Sequence, residues 1–314
     1  MTARIFRAPA RACSLPIAFA LAFALVMSAG AARAQVPPGQ PDLAFGAFQR
    51  GHYQTALEEA LKRIKANPDD APAMTLLGEL YREGFAVRRD PEAAARWYRL
   101  AAIKGDRQAQ FALGMAHLSG SGVEKNPALA REWLDKAAAA GHAGALYNLG
   151  VMALEAEVQD ARTAARLFEK AAAAGDPDAA YGFAMLLREG LGVPRDRARA
   201  VAYLRQAAEE KHVAAMVEYA IALFNGEGAE RNEAEAARLF AAAAARHSPV
   251  AQNRLARLYA TGRGVKANMV EAMKWHVLAR AGGLGDPWLE SKLPTLTAEE
   301  RAAVELAVQR FVGK

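Results

Sequence analysis

The chain has 314 residues, with 40 lysines and arginines against 34 acidic residues, and one cysteine. Residues 1–34 hold four of the arginines and no acidic residue, so the remaining chain has a net charge of only +2. This balance removes the electrostatic argument for nucleic-acid binding. Cys13 lies in the same segment, which excludes disulfides and thiol chemistry from the rest of the chain.

The N-terminal segment has the pattern of a secretory signal. Three arginines in the first eleven residues precede an apolar run over 15–27, and small residues then lead to Ala32-Arg33-Ala34. The run is shorter than the roughly 20 residues that span a bilayer. We therefore expect cleavage after Ala34 and a periplasmic or secreted protein, which would contact the membrane only through an uncleaved signal.

Residues 35–70 are predicted to form one helix pair that resembles a single tetratricopeptide unit. The stretch "AFQRGHYQTALEEALKRIKANPDD" has small residues, an aromatic residue and a terminal proline where that family places them. These residues are Gly51, Tyr53, Ala56, Ala60 and Pro68.

Beyond residue 70 the sequence repeats every 36 residues, with one step of 34. One column, at the end of each unit, is Gly105, Gly141, Gly175, Lys211, His247 and Gly283. A second column of large residues is Trp97, Trp133, Leu167, Tyr203, Leu239 and Trp275. A third column of small residues is Gly78, Gly114, Gly150, Ala184, Ala220 and Ala256. Matching columns over six units indicate stacked copies of one structural element.

Each unit predicts two helices, A and B, joined by a glycine-containing hinge. Helix B should begin after the column Asp90, Asn126, Asp160, Asp196, Asn232 and Asn268, because these side chains are good N-caps. The closing glycine suits a left-handed helix end. The small residues lie inside helix A, where glycine is unfavourable, so they predict close helix contact. The third unit lacks the hinge, because "EAEVQD" (155–160) is two residues shorter.

The repeated pattern resembles the Sel1-like repeat, a relative of the tetratricopeptide repeat. The segments "AMTLLGELYREGFAVRRDPEAAARWYRLAAIKG" (73–105) and "AQNRLARLYATGRGVKANMVEAMKWHVLARAGG" (251–283) carry it most clearly. The resemblance covers residues 71–285 and implies an all-α, right-handed solenoid in an exported bacterial member of the family. Residues 286–314 are predicted to add a C-terminal capping helix, which Thr297 and Glu300 would begin with a capping box.

Carrying the binding positions of the tetratricopeptide fold onto helix A predicts an apolar groove with polar ends. The positions are three before, one after and four after the small residue. They give Phe111, Met115 and Leu118, then Tyr147, Val151 and Leu154, then Tyr181, Met185 and Arg188, and finally Val217, Ile221 and Phe224. The outer units give the polar sets Thr75, Glu79, Arg82 and Asn253, Arg257, Ala260.

Two interpretations of these side chains stay open. They could pack inside the superhelix or lie under the chain's own tail, since large exposed apolar patches are uncommon unless they are functional. Alternatively, they form a groove for an apolar peptide or an amphipathic helix.

The sequence has no recognisable catalytic or metal-binding pattern. None of its six histidines has zinc-ligand spacing, and no phosphate loop or nucleophile elbow occurs. His142, His212 and His247 lie at inter-repeat turns and are interpreted as C-terminal helix caps, while His276 is interpreted as a local packing variant. We therefore expect no enzyme activity, no cofactor and no metal.

The family resemblance implies a non-catalytic scaffold that binds a protein or peptide partner in the cell envelope. The alternative is a glycan-binding module. Glycan rings would stack on Trp97, Trp133, Tyr147 or Tyr181, and the hinge residues Arg88, Arg89, Arg195 and Arg197 could line an anionic site. A hydrolase is disfavoured, because the exported relatives linked to β-lactams are rich in cysteine.

Overall fold

A computed structural model describes residues 42–155 and 160–313. Those residues form sixteen α-helices and one short 3-10 helix, and they contain no strand. The predicted signal segment, and four of the six residues of the short third hinge, lie outside the described residues. The fold is the predicted all-α, right-handed solenoid.

The first helix pair is α1 (Leu43–Gln49) and α2 (Tyr53–Ala66). The A helices of the six repeats are α3 (Ala71–Glu83), α5 (Arg107–Ser119), α7 (Ala143–Glu155), α9 (Pro177–Glu189), α11 (Val213–Asn225) and α13 (Pro249–Thr261). The B helices are α4 (Pro91–Ile103), α6 (Pro127–Ala139), α8 (Ala161–Ala173), α10 (Arg197–Glu209), α12 (Glu233–Ala244) and α14 (Met269–Ala281). The chain then continues through α15 (Pro287–Glu290), the 3-10 helix Leu293–Thr295 and α16 (Ala298–Val312).

Local side-chain chemistry fixes the helix ends. Every predicted N-cap of a B helix is confirmed. Asp90, for example, accepts a hydrogen bond of 2.8 Å from the Ala93 N–H, a first-turn donor that has no partner within the helix. Five A helices end at a glycine with a φ near +75°, which a residue without Cβ adopts without strain. These glycines are Gly84, Gly120, Gly190, Gly226 and Gly262.

Close contact between the two helices of a repeat explains the small residues inside helix A. A Cβ on Gly150 would lie 2.6 Å from the Phe168 ring, and a Cβ on Gly114 would lie 2.9 Å from Leu134. The side chains that fill this contact form a column that we call the core column. It comprises Tyr98, Leu134, Phe168, Leu204, Phe240 and His276, all at most 3% exposed. The column of large residues that the sequence suggests stands one position earlier and is half-buried, apart from the buried Trp275.

Helices pack on their neighbours in chain order, within each repeat and from one repeat to the next. Residues 286–312, which we call the C-terminal cap, follow the last repeat. Within it, α16 packs against α14, and its Phe311 ring meets Trp275 at a centroid distance of 5.2 Å. The predicted capping box at Thr297 and Glu300 is confirmed.

Candidate protein-binding face

The twelve predicted groove residues lie on four successive A helices, α5, α7, α9 and α11, and we call this set the A-helix face. Each helix contributes one triplet at positions i, i+4 and i+7, which share one side of an α-helix. All members are half-buried except Val217, which is buried. Most of the face therefore contacts the core with part of each side chain and leaves the rest at the surface.

The first residue of the triplet also joins one repeat to the next. Phe111 stacks on His142 at a centroid distance of 4.3 Å, and Tyr181 stacks on His212 at 4.9 Å. The same position makes polar contacts in the outer repeats. The Thr75 hydroxyl donates to Asp106 at 3.0 Å, and the Asn253 amide donates to Asp286 at 3.0 Å.

Each partner in these contacts is the N-cap at the start of the next A helix or of α15, so we call the contacts inter-repeat joints. Sequence reasoning missed the joints. The sequence signal that could have revealed them is a spacing of 31 residues between complementary side chains. Thr75 and Asp106 have this spacing, and so do Phe111 and His142.

The interpretation of His142 and His212 as C-terminal caps is wrong, because both cap the helix that follows. The Nδ1 atoms accept hydrogen bonds from the Ala145 and Ala215 N–H groups, at 3.1 and 3.0 Å. An accepting Nδ1 carries no proton, so each ring caps its helix through this atom. Burial, helped by the Arg107 charge, lowers the pKa of His142 to about 4, which keeps this ring neutral at pH 7.

His247 plays a different part from these two caps. It occupies the turn itself with a φ of +61°, and its ring lies 5.4 Å from Phe311.

Charged groups border the apolar middle of the face. Arg188 on α9 donates to Glu218 on α11 at 2.8 Å, and the Arg263 guanidinium lies 4.0 Å above the Phe224 ring. Burial raises the pKa of the Tyr147 and Tyr181 hydroxyls, so both stay protonated at neutral pH.

The predicted polar ends are internally paired. Arg82 donates to Glu79 at 2.7 Å, and Arg257 donates to the buried Asp286 at 2.6 Å. Hydrogen bonds from Arg257 hold the pKa of Asp286 well below its usual range. These charges are therefore largely satisfied within the chain.

Most of the aromatic and arginine side chains that the glycan interpretation requires already contact other groups of the chain. The Lys136 ammonium lies 4.0 Å above Trp133, Trp97 is half-buried, and Tyr181 stacks on His212. The hinge arginines Arg89 and Arg195 donate to carbonyl oxygens in the last turn of the preceding A helix, at 3.1 and 2.9 Å. They therefore act as helix caps.

The structure also exposes an aromatic residue that the sequence did not single out. Trp288 is 40% exposed and stands beside an open cavity of about 310 Å³ that Arg257 and Thr261 also line. The Arg257 and Lys292 side chains both lie within 6 Å of its ring centre, at 5.7 and 5.4 Å.

Within residues 42–155 and 160–313, no three His, Cys, Asp or Glu side chains cluster in a way that could hold a metal ion. Over the same part of the chain, no helix combines the length and the hydropathy that a membrane crossing needs.

A family model described as Sel1 repeat matches six successive segments, at residues 71–106, 107–142, 143–176, 177–212, 213–248 and 249–284. The chain therefore belongs to the Sel1 repeat family, whose members generally serve as helical scaffolds for protein interaction.

Solved structures agree with this assignment. A Sel1 repeat protein from Oxalobacter formigenes is 28% identical, with a TM-score of 0.68 over 76% of this chain and 98% of that one. A protective antigen of uropathogenic Escherichia coli, c5321, which displays an SLR fold, is 24% identical, with a TM-score of 0.52. That match covers 83% of this chain and 64% of the antigen. A comparison with curated proteins finds no match.

Proposed function

We propose that the protein is an exported, periplasmic scaffold that binds a protein or peptide partner through the A-helix face, without catalysis and without a cofactor. The observation that carries this proposal is the continuity of the face. Four successive helices repeat one triplet in one register, and the triplets are apolar or aromatic apart from Arg188. Membership of the Sel1 repeat family supports protein binding as the kind of activity.

The chemistry of the face favours an apolar partner. Its half-buried side chains offer methyl, thioether and ring surfaces that can release water when a partner covers them. A partner helix with anchors at i, i+3 or i+4, and i+7 would present a matching stripe. The Arg188–Glu218 pair beside that stripe can accept a charged residue of either sign at the edge of the partner.

Export rests on the N-terminal sequence, with its arginines, short apolar run and Ala32-Arg33-Ala34. The intact mass of protein purified from the periplasmic fraction should correspond to a chain that starts at Gln35. A mass that includes Met1 would contradict cleavage and would favour the uncleaved segment as an anchor.

Binding is best tested at positions that take no part in the joints. Val151 and Met185 are the second residues of their triplets, so a charge there should spare the Phe111–His142 and Tyr181–His212 contacts. A photo-crosslinking residue at Met185, in living cells, should capture a discrete partner, and Val151→Glu should reduce that product at least tenfold. Circular dichroism should show an unchanged fold.

The matched control is Ile103, which is 69% exposed on α4 and lies outside the A-helix face. A crosslinker there should capture no comparable product, and Ile103→Glu should leave the Met185 product unchanged. Equal capture at Ile103 and Met185, or capture that resists Val151→Glu, would overturn the A-helix face as the binding surface.

A further inference from the structure

The core column changes its chemistry in the last repeat. Its first five members are aromatic or aliphatic side chains, whereas the sixth is His276, which is 0% exposed. An imidazole carries two polar ring nitrogens, and burying such groups is costly unless they are hydrogen-bonded. Neither His276 nitrogen has a hydrogen-bond partner among the described residues, and the same holds for the neighbouring Trp275 Nε1.

Phe168 shows what a member of this column touches. Its ring would lie 2.6 Å from a Cβ on Gly150 of its own A helix and 3.1 Å from a Cβ on Gly182 of the next A helix. The column thus fills the contact between consecutive repeats. After repeat 6 the C-terminal cap takes the place of a next repeat, so His276 stands between α13 and the cap.

The surroundings of His276 oppose a positive charge. One hydrophobic cluster includes buried residues of α13, α15 and α16, namely Leu255, Leu289 and Val304. The charged groups near the ring are Arg280 on its own helix and the cap residues Asp286 and Glu290. The Asp286 carboxylate is already bound to Arg257 and Asn253. Burial outweighs the two acidic residues and lowers the pKa of His276 below its ordinary value.

We propose that His276 makes the C-terminal cap an acid-release device, in which protonation of the ring detaches the cap from repeat 6. The neutral ring fits the docked cap, whereas a charged ring requires water. The docked form has the lower histidine pKa and the detached form has the ordinary value of about 6.5. Docking is therefore fully stable above pH 6.5, and it weakens as the pH falls below that value.

Hydrogen exchange measures this docking directly. Protection factors for α16, corrected for the intrinsic exchange rate, should be constant between pH 8 and 7. Below pH 6.5 they should fall by up to tenfold per pH unit, because one pH unit changes the binding of one proton tenfold. Protection in α3 to α6 should not follow this profile.

Variants separate His276 from the other histidines. His276→Phe copies Phe240 of the preceding repeat and should keep the cap protected down to pH 5. His276→Leu copies Leu204 and serves the same purpose if the phenylalanine variant does not fold. The controls are His52→Gln, at an exposed position, and His247→Asn, which replaces the histidine that contacts Phe311 of the cap. Both variants should retain the pH response.

Three results would overturn the proposal. The first is wild-type protection of α16 that does not change between pH 7 and 5. The second is an equal loss of protection in His276→Phe or His276→Leu. The third is an NMR titration in which the His276 ring has a pKa at or above 6.5.

Discussion

Two glycine columns adopt the same left-handed backbone but meet different surroundings. One closes each repeat and comprises Gly105, Gly141, Gly175 and Gly283, with φ between +77° and +90°. The other is the second hinge glycine and comprises Gly122, Gly192, Gly228 and Gly264, with φ between +69° and +78°. A Cβ added to the first column would meet nothing within 4 Å, whereas a Cβ added to the second would overlap the first turn of the preceding B helix.

The difference separates two requirements that a glycine can meet. The closing column needs a positive φ alone, and the chain also fills it with Lys211 at +65° and His247 at +61°. The hinge column needs both the positive φ and the missing side chain, because it is a contact between repeats. In the first repeat, Ala86 holds the equivalent hinge position and is exposed. The helix pair before this repeat, α1 and α2, lies outside the matched Sel1 segments.

Gly122→Ala should have the largest effect. The new methyl group would overlap the Pro91 carbonyl, so repeats 1 and 2 would have to separate. Strain of about 1–2 kcal/mol from the left-handed backbone and about 1–3 kcal/mol from overpacking together predict a loss of roughly 3 kcal/mol in the free energy of unfolding. Urea denaturation followed by circular dichroism measures this loss.

Gly120→Ala is the matched control in the same turn. Its φ is +76°, but the nearest atom to an added Cβ is the Lys125 Cβ at 3.4 Å, an ordinary contact. It should lose only about 1–2 kcal/mol, from backbone strain alone. Equal losses in the two variants would mean that the repeat contact contributes nothing at Gly122.

The fold could be predicted from the sequence because its determinants are local and repeat six times. A capping side chain contacts backbone two or three residues away, so Asp90 and its equivalents fix the start of each B helix without knowledge of the tertiary structure. The burial of the core column was harder to predict. Trp97 and Tyr98 are adjacent and both large, and about 100° of helix rotation decides which one faces helix A.

The candidate site was less predictable, because it depends on contacts between repeats. The positions of the A-helix face followed from the repeat alignment, but the joints formed by Phe111 and Tyr181 need the relative placement of two helices. His142 shows the same limit. In a turn of only three residues (140–142) a side chain can cap either helix, and the hydrogen bond that Nδ1 accepts shows that His142 caps the second one.

Gly150, which belongs to the column of small residues inside helix A, gives the next largest expected effect. Gly150→Ala would place a Cβ 2.6 Å from the Phe168 ring, and both residues are buried. Overpacking should cost about 1–3 kcal/mol, offset by about 1 kcal/mol from the better helix propensity of alanine. The net loss of about 1 kcal/mol can be measured by denaturation.

Phe168→Leu tests the cause of that loss. In repeat 4 the same two positions hold Ala184 and Leu204, so the double variant copies a combination that the chain already uses. The two substitutions should be coupled, with the double variant more stable than the sum of the single losses predicts. Simple additivity would show that Phe168 is not what makes glycine necessary at position 150.

Lys211→Gly should have the smallest effect and the opposite sign. The lysine adopts a φ of +65°, which costs an L-residue about 1–2 kcal/mol, and glycine removes this strain. Part of the stabilisation is offset, because glycine has more conformational freedom in the unfolded chain. Because the closing column meets no neighbour, a stabilisation of about 0.5–1 kcal/mol should remain, and the melting temperature should rise. Glu210→Gly is the matched control, since Glu210 is exposed and has an ordinary φ of −80°. That variant should lose stability, and a gain at both positions would show that the backbone of the closing turn is not strained at Lys211.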